Sequence, residues 1–316
     1  MPAVTLRAVP SLSVVVPATD RPATLASCTA ALARAGRGHE VIVVDGPAGL
    51  SVCAARNSGA ERARGEVLVF VDSDVEIHPD ALSRIRERFA GDPRLTAVFG
   101  SYDDAPVRGG TVAAFRNLLH HHVHQGAPGP AETFWSGLGA VRRDAFLAAG
   151  GFDAERFPDP SVEDIDLGVR LVAAGARIEL DPSIQGTHLK AWTLRSMVGT
   201  DFTRRGVPWV ALLLRSGRSS TALNLGWRNR ISAAACTLAA AAVLARRPGT
   251  AAGSLLVLLG LNREFYRLLA RRRGPQEAVL GVGLHVLHHL TAVAAVPFGV
   301  ASHIRERHRA RREEIG

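Results

Sequence analysis

Short hydrophobic runs alternate with longer amphipathic segments along the first hundred residues. The runs are rich in β-branched residues and end at turn formers or polar residues, which is typical of buried strands. They are residues 12–16 (LSVVV), 40–44 (EVIVV), 66–71 (EVLVFV) and 96–101. The segments with helical spacing are residues 22–35, 51–63 and 79–90. This alternation predicts an α/β domain in which a mostly parallel sheet carries helices on both faces.

The middle of the chain is less regular. Its helix candidates are residues 112–124, 143–149 and 162–174, and its strand candidates are residues 135–141 and 177–180. The helix predicted at 162–174 begins with a cluster of acidic residues, which the positive end of a helix dipole favours.

Three apolar stretches dominate the last third of the chain, at residues 231–245, 250–261 and 278–302. A membrane span needs about 20 apolar residues, so the third stretch is long enough to cross a bilayer. The first two are shorter, and they predict either two spans or a tight hairpin that dips into the bilayer. A buried helical subdomain of a soluble protein is the alternative, because many of these residues are alanine.

The formal net charge of +9 belongs entirely to this last third. Residues 1–214 carry 22 basic and 24 acidic side chains, whereas residues 215–316 carry 16 and 5. Basic residues beside apolar stretches favour anionic lipid headgroups. We therefore predict an α/β domain over residues 1–214, a membrane-associated helical region over residues 215–316, and no nucleic-acid partner.

The three cysteines and the N-terminus bear on the compartment. Cys28, Cys53 and Cys236 are too few and too scattered for a disulfide framework or a zinc cluster, so we expect buried thiols and a reducing compartment. Residues 1–10 have neither the apolar stretch nor the cleavage pattern of a secretory signal.

Acidic residues follow the predicted strands where each strand ends. Asp45 follows the second strand, and Asp72-Ser73-Asp74 follows the third. Ligands of open α/β sheets bind beyond the carboxyl ends of the strands. In an extended segment, residues i and i+2 point to the same side, so both carboxylates of the triplet can reach one hard cation such as Mg²⁺ or Mn²⁺.

Several of these segments together resemble family 2 glycosyltransferases, which have the glycosyltransferase-A fold. The similar segments are LSVVVPATDRP, EVIVVDG, ARNSGAERARGEVLVFVDSDV, WSGLGA, FLAAGGFD and VEDIDLGVRL, which fall in this order over residues 11–200. The resemblance implies an inverting, metal-dependent transfer of a sugar from a UDP- or GDP-type donor.

The resemblance also implies roles for individual residues. Those implied to hold the donor nucleotide are Pro17, Thr19, Asp45, Arg56, Asn57 and Asp72. Asp74 would bind the Mn²⁺ or Mg²⁺ ion that bridges the diphosphate. Asp164 would be the general base, and Glu163 would orient the site or bind the acceptor.

Further residues are candidates for the metal site and for the sugar or acceptor pocket. His188 follows the strand predicted at 177–180 and is a candidate metal ligand or phosphate contact, with a structural histidine as the alternative. Trp135 and Gly137 lie in the WSGLGA segment and are candidates for the pocket. Asp103 is a candidate sugar contact or an ordinary turn residue.

The function expected from these features is glycosyl transfer to a lipid, a lipid-linked glycan or a polysaccharide of the cell envelope. The catalytic domain is expected on the cytoplasmic side of the cell membrane, where nucleotide sugars are made. A membrane-anchored protein that binds nucleotide sugars without catalysis is one alternative. A nucleotidyltransferase is another, although PATDRP is a poor match to its phosphate-binding loop.

Overall fold

A computed structural model describes residues 9–19, 21–46, 49–106, 110–217 and 226–313. The chain divides into two compact units. The first combines Met1–Asp103 with His124–Leu189, and the second combines Asp104–Val123 with Lys190–Gly316.

A single mixed sheet forms the centre of the first unit. Its strands are β1 (Leu12–Pro17), β2 (His39–Val44), β3 (Val67–Val71), β4 (Val75–Ile77), β5 (Leu95–Tyr102), β6 (Gly129–Ala131), β7 (Leu138–Arg142) and β8 (Arg177–His188). They are ordered β2-β1-β3-β7-β5-β8-β4, with β6 also paired to β8. Five strands (β1, β2, β3, β5 and β8) run in the same direction, and β7 lies antiparallel between β3 and β5.

Helices cover both faces of this sheet, as predicted. They are α1 (Leu25–Arg34), α2 (Val52–Arg62), α3 (Ala81–Gly91), α5 (Arg143–Ala148) and α6 (Glu163–Ala173), while α4 (Thr111–Gln125) lies mostly in the second unit. Val14 and Val16 of β1 share a core cluster with residues of α1 and α3. Val15 points the other way, towards Gly59 of α2, where an added Cβ would lie 2.3 Å from the Val15 side chain.

The strand predicted at 177–180 is in fact three times longer and ends at His188. Two short strands were missed, β4 and β6, and both pair with β8 in antiparallel fashion. Three-residue strands carry too little periodicity to be read from a sequence. Their consequence is large, however, because β4 joins the Asp72-Ser73-Asp74 turn to the end of β8.

The second unit is helical in its described residues. After α4 it contains α7 (Leu194–Gly199), a π-helical segment (Thr200–Gly206), α8 (Val207–Ser216), α9 (Trp227–Leu244), α10 (Pro248–Leu261), α11 (Arg263–Arg273) and α12 (Pro275–Glu313). The three predicted apolar stretches are thus the helices α9, α10 and α12. Of the described helices, α12 alone is long and apolar enough to cross a membrane, with a mean hydropathy of 1.7 in its most apolar window.

The division into units differs from the boundary predicted at residue 214. Residues 104–123 and 190–214 belong to the same compact unit as α9 to α12. Composition could not show this, because residues 104–123 are separated from that unit by more than 60 residues of sequence. The assignment of catalysis to one part and membrane association to the other stays a prediction.

Candidate active site

The ends of β1, β2 and β3 lie side by side, as the sequence predicted. Pro17 pairs with Val44, the last residue of β2, and the Ala18 amide donates to the Val44 carbonyl at 2.9 Å. Val15 pairs with Phe70, so the same register brings the end of β1 beside Asp72. Thr19 is half-buried and Asp45 is exposed at this edge. The register therefore brings Pro17, Asp45 and Asp72, three of the predicted nucleotide-binding residues, to one edge of the sheet.

Arg56 joins two acidic segments that are distant in sequence. Its guanidinium donates to Asp72 Oδ1 at 2.7 Å and to Glu163 Oε1 at 2.8 Å. The Arg56 and Glu163 side chains are 4% and 5% exposed, and the Arg56 guanidinium lies over the Phe152 ring. Opposite charges at these distances hold the pKa of Arg56 above its usual value despite burial. Arg56 was predicted near the nucleotide; here it fixes the end of β3 against the start of α6.

Asp164 lies next to Glu163 in the first turn of α6. Its Oδ2 accepts hydrogen bonds from the Ser136 amide at 3.2 Å and the Ser136 hydroxyl at 3.4 Å. Burial and the Glu163 charge raise the pKa of Asp164 to about 6, although Arg56 and the Ser136 and Ile165 amides favour the ionised form. A carboxylate held in place with such a pKa is suited to accept a proton near neutral pH.

A glycine lets α6 approach closely enough for this contact. Gly168 lies one helical turn after Asp164, on the same face of α6. A Cβ added at Gly168 would lie 2.3 Å from the Phe134 amide nitrogen and 2.7 Å from the Thr133 Cα. These are main-chain atoms that cannot move aside easily, so the distance between Asp164 and Ser136 depends on a residue without a side chain.

The predicted metal ligands Asp74 and His188 are neighbours. Val75 pairs with His188 across β4 and β8, and the Leu189 amide donates to the Asp74 carbonyl at 2.8 Å. Asp74 Oδ2 lies 3.6 Å from His188 Nε2. The Tyr102 ring stacks on the His188 imidazole with a centroid distance of 4.2 Å and an angle of 9°. His188 therefore stands at the Asp-Ser-Asp turn, a contact that no sequence spacing indicated.

Trp135 and Gly137 border the same turn. The Gly137 carbonyl accepts from the Asp72 amide at 3.1 Å, and a Cβ on Gly137 would lie 2.5 Å from the Trp135 ring. Trp135 is half-buried, and its ring lies at 86° to the Tyr102 ring with a centroid distance of 4.9 Å. Its role as a wall of the sugar pocket stays a prediction, supported by this position beside Asp72.

Two predicted site residues are engaged elsewhere. The Asn57 amide donates to the Phe152 carbonyl at 2.8 Å and accepts from the Phe152 amide at 2.9 Å, which braces that backbone. Asp103 is buried and interacts with His78 Nε2 at 3.0 Å and with the Thr187 hydroxyl. Both residues thus contribute to the structure around the site, while their donor and sugar contacts stay predictions.

The thiols are buried, as expected. Cys28, Cys53 and Cys236 are all free and buried. Cys28 donates from Sγ to the Asp72 carbonyl at 3.6 Å. Burial raises the pKa of both Cys28 and Cys53 to about 12, so neither supplies a thiolate near neutral pH.

The fold and the cluster of acidic residues at the strand ends define an α/β protein of the glycosyltransferase-A type. Residues 37–147 match the family model described as Glycosyl transferase family 2. This match spans 111 of the 316 residues, so the chain is similar to family 2 glycosyltransferases over about a third of its length.

Two solved structures are similar to the chain. One is a mannosyltransferase, PcManGT from Pyrobaculum calidifontis, in complex with GDP-Man and Mn²⁺. It is 14% identical at a TM-score of 0.52, over 94% of this chain and 88% of that one, which shows a shared fold. The other is GalNAc-T7 with UDP, GalNAc and Mn²⁺, 15% identical over 60% of this chain and 44% of that one, at a TM-score of 0.43. A TM-score below 0.5 does not establish a shared fold.

Proposed function

We propose that the protein is an inverting, metal-dependent glycosyltransferase that acts at the cytoplasmic face of the cell membrane. It would move a sugar from a nucleotide-sugar donor to a lipid, a lipid-linked glycan or a polysaccharide. The observation that carries the proposal is the ion pairing of Arg56 with both Asp72 and Glu163, which brings the end of β3 to the start of α6. Asp74 and Asp164 lie close to these two residues in sequence.

Asp164 would act as the base. The acceptor hydroxyl oxygen attacks the anomeric carbon, and Asp164 takes the hydroxyl proton as the new carbon–oxygen bond forms. The bond from the anomeric carbon to the diphosphate oxygen breaks, and its electron pair leaves with the nucleoside diphosphate. The Ser136 amide and hydroxyl hold the carboxylate in place during this transfer.

Asp74 and His188 fit a divalent cation such as Mn²⁺ or Mg²⁺. Oxygen and imidazole donors suit Mn²⁺, and these two side chains are already adjacent. Within the described ranges, no three His, Cys, Asp or Glu side chains form a group able to hold a metal ion. An incomplete donor set is consistent with an ion that takes its remaining ligands from the substrate diphosphate and water. Such an ion, when bound, would offset charge on the leaving diphosphate.

The donor nucleotide would lie along the edge formed by Pro17, Thr19, Asp45 and Asp72. The mannosyltransferase with the similar fold was solved with GDP-Man and Mn²⁺, which supports a nucleotide-sugar donor of the GDP or UDP type here. Asp45 is exposed, so its carboxylate would be accessible to hydrogen-bond donors of a base or ribose.

The Asp164→Asn variant tests this proposal. Donor binding is measured by calorimetry for a panel of UDP- and GDP-sugars with Mn²⁺ or Mg²⁺, and transfer is measured with membrane lipid present. We expect donor affinity to persist while transfer falls by about 10²- to 10⁴-fold. Asp144→Asn, an exposed carboxylate on α5, is the matched control and should transfer at the wild-type rate.

Two outcomes would contradict the proposal. Unchanged transfer by Asp164→Asn would show that Asp164 is not the general base. Failure of every donor to bind with either metal would contradict the proposal that the protein is a glycosyltransferase. Donor binding without transfer by the wild-type protein would favour the non-catalytic alternative.

A further inference from the structure

Three helices of the second unit have their large apolar side chains on the outside. Fifteen of the twenty exposed large hydrophobic residues within the described ranges lie on α9, α10 and α12. They include Leu244, Leu256 and Val279, which are 85%, 67% and 71% exposed. A helix of a water-soluble protein buries such residues and exposes polar ones. These helices therefore do not follow the pattern of a protein surface in water.

The residues that these helices bury are mostly small. On α9 they are Ser232, Ala235, Cys236, Ala239 and Ala242. On α12, Ala295 and Gly299 are buried four residues apart. A Cβ on Gly299 would lie 2.5 Å from the Val210 Cβ, and one on Gly206 would lie 2.6 Å from the Ala295 Cβ. Small residues at close helix contacts, with large apolar residues outside, are typical of helices packed in lipid.

A buried carboxylate of this unit, Asp201, is paired. It is 5% exposed, and its carboxylate lies 2.9 Å from Arg116 and 2.8 Å from His288. Ionisable residues within membrane-embedded helices face the interior and pair with one another in this way. The pairing of Asp201 is therefore compatible with an apolar exterior.

Arginines mark the ends of the apolar surface. Arg246 and Arg247 are exposed in the turn between α9 and α10, Arg263 follows α10, and Arg305 and Arg307 are exposed near the end of α12. Trp227, at the start of α9, is 63% exposed. Tryptophan and arginine at the limits of an apolar surface match the headgroup region of an anionic bilayer.

We propose that the outer faces of α9, α10 and α12 are covered by lipid, with α12 crossing the bilayer and the α9–α10 hairpin lying along one interface. This deepens the proposed function by assigning the membrane contact to particular helix faces. At 1.5 Å per residue, the apolar part of α12 (residues 278–302) is about 37 Å long, which exceeds a hydrocarbon core of about 30 Å. The 14 residues of α10 span only about 21 Å, and basic residues flank both ends of the hairpin.

Single cysteines carrying an environment-sensitive dye test this arrangement in the full chain. The native thiols are buried, so a new surface cysteine is the site labelled. The positions are Leu256→Cys on α10, Ala292→Cys near the middle of α12, and Leu147→Cys on α5 as the control, because Leu147 is an exposed hydrophobic residue of the first unit. The protein is bound to vesicles of equimolar phosphatidylcholine and phosphatidylglycerol that carry a nitroxide quencher at a shallow or a deep acyl position.

We expect the shallow quencher to remove most of the fluorescence at position 256, and the deep quencher to remove most of it at position 292. Fluorescence at position 147 should not change. Absence of quenching at both 256 and 292 would overturn the proposal. A blue-shifted dye in buffer without vesicles, together with a dimer in solution, would instead assign the surface to contacts between copies of the chain. Deep quenching at 256 would overturn the interfacial placement of the hairpin.

The quenching experiment can succeed or fail independently of the proposed transfer activity. Asp164→Asn should show the wild-type quenching pattern while it loses transfer. Lipid quenching in a protein that binds no donor would support the membrane surface and contradict the enzyme. Donor binding without lipid quenching would support the enzyme and contradict the membrane surface.

Discussion

Asp164 and Glu163 are adjacent carboxylates at the start of α6. Replacing each by its neutral amide should change the stability of the protein in opposite directions at pH 7. Asp164 has a pKa raised from 3.8 to about 6 in the folded protein. Folding therefore opposes its ionisation. One pKa unit corresponds to about 1.4 kcal/mol, so the ionised carboxylate costs about 3 kcal/mol of folding free energy at pH 7.

The sign follows from the two protonation states. Below about pH 4 the carboxyl is mostly protonated in both the folded and the unfolded chain, so it imposes almost no penalty. Between about pH 4 and pH 6 the unfolded chain loses the proton first, and the contribution of this group to stability falls. Above about pH 6 the full penalty applies. Asp164→Asn removes the titration, so its free energy of unfolding relative to wild type should rise by about 2–3 kcal/mol from pH 4 to pH 7.

The stability that Asp164→Asn gains over wild type at pH 7 should be smaller than this difference. Asparagine keeps only one oxygen, so it cannot accept from both the Ile165 amide, now bound at Oδ1, and the Ser136 amide, now bound at Oδ2. The lost hydrogen bond costs about 1–2 kcal/mol. We therefore expect Asp164→Asn to be about 1–2 kcal/mol more stable than wild type at pH 7 and less stable than wild type at pH 4.

Glu163→Gln is the matched comparison. The Glu163 carboxylate lies 2.8 Å from the Arg56 guanidinium, and its side chain is nearly fully buried. Removing one partner of a buried ion pair costs about 3–5 kcal/mol, so this variant should be destabilised at pH 7. Urea unfolding followed by circular dichroism at pH 4 and pH 7 measures all three proteins. Equal changes for Asp164→Asn at both pH values would refute the raised pKa, and a stable Glu163→Gln would refute the ion pair as a structural element.

Two further predictions concern the packing around the site. Gly168→Ala should destabilise the protein by about 1–3 kcal/mol and reduce transfer, because the added Cβ meets the Phe134 backbone. Gly91→Ala is the control, since its added Cβ meets nothing within 4 Å, and it should leave transfer unchanged. Equal transfer by both variants would contradict this reasoning. Cys28 and Cys53 should not react with a thiol reagent at pH 8 in the native protein, because burial raises the pKa of both thiols to about 12. Both should react once the chain is unfolded in urea. Fast labelling of the native protein, detected by mass spectrometry, would contradict this burial.

Much of the fold was predictable because its elements are locally encoded. The strands β1, β2 and β3 contain the continuous apolar runs 14–16, 41–44 and 67–71, and buried parallel strands need that composition. The helix predicted at 51–63 begins where Ser51 accepts a hydrogen bond from the Ala54 amide, a cap that the residue type favours. The apolar stretches of the last third are also locally encoded, because their length and composition alone indicate helices.

The candidate site was predictable only in part. Acidic residues at strand ends identified Asp72 and Asp74 as candidates, and the family resemblance identified Asp164. The contact between Asp74 and His188 was not readable, since it depends on the register of β4 against β8 across more than 100 residues. Nor did the sequence show that Arg56 bonds both Asp72 and Glu163. Its predicted position near the nucleotide stays a prediction.

The sequence by itself determined the strand–helix order, the acidic residues at the carboxyl edge, the separation of charge between the two parts of the chain, and the apolar C-terminal helices. These follow from hydrophobic pattern, turn chemistry and composition, which act over a few residues. The tertiary structure alone decided which side chains meet: the bridge through Arg56, the raised pKa of Asp164, the close approach at Gly168, and the outward direction of the large apolar residues on α9, α10 and α12. Each of these depends on distances between segments far apart in the chain, which the local pattern of residues does not encode.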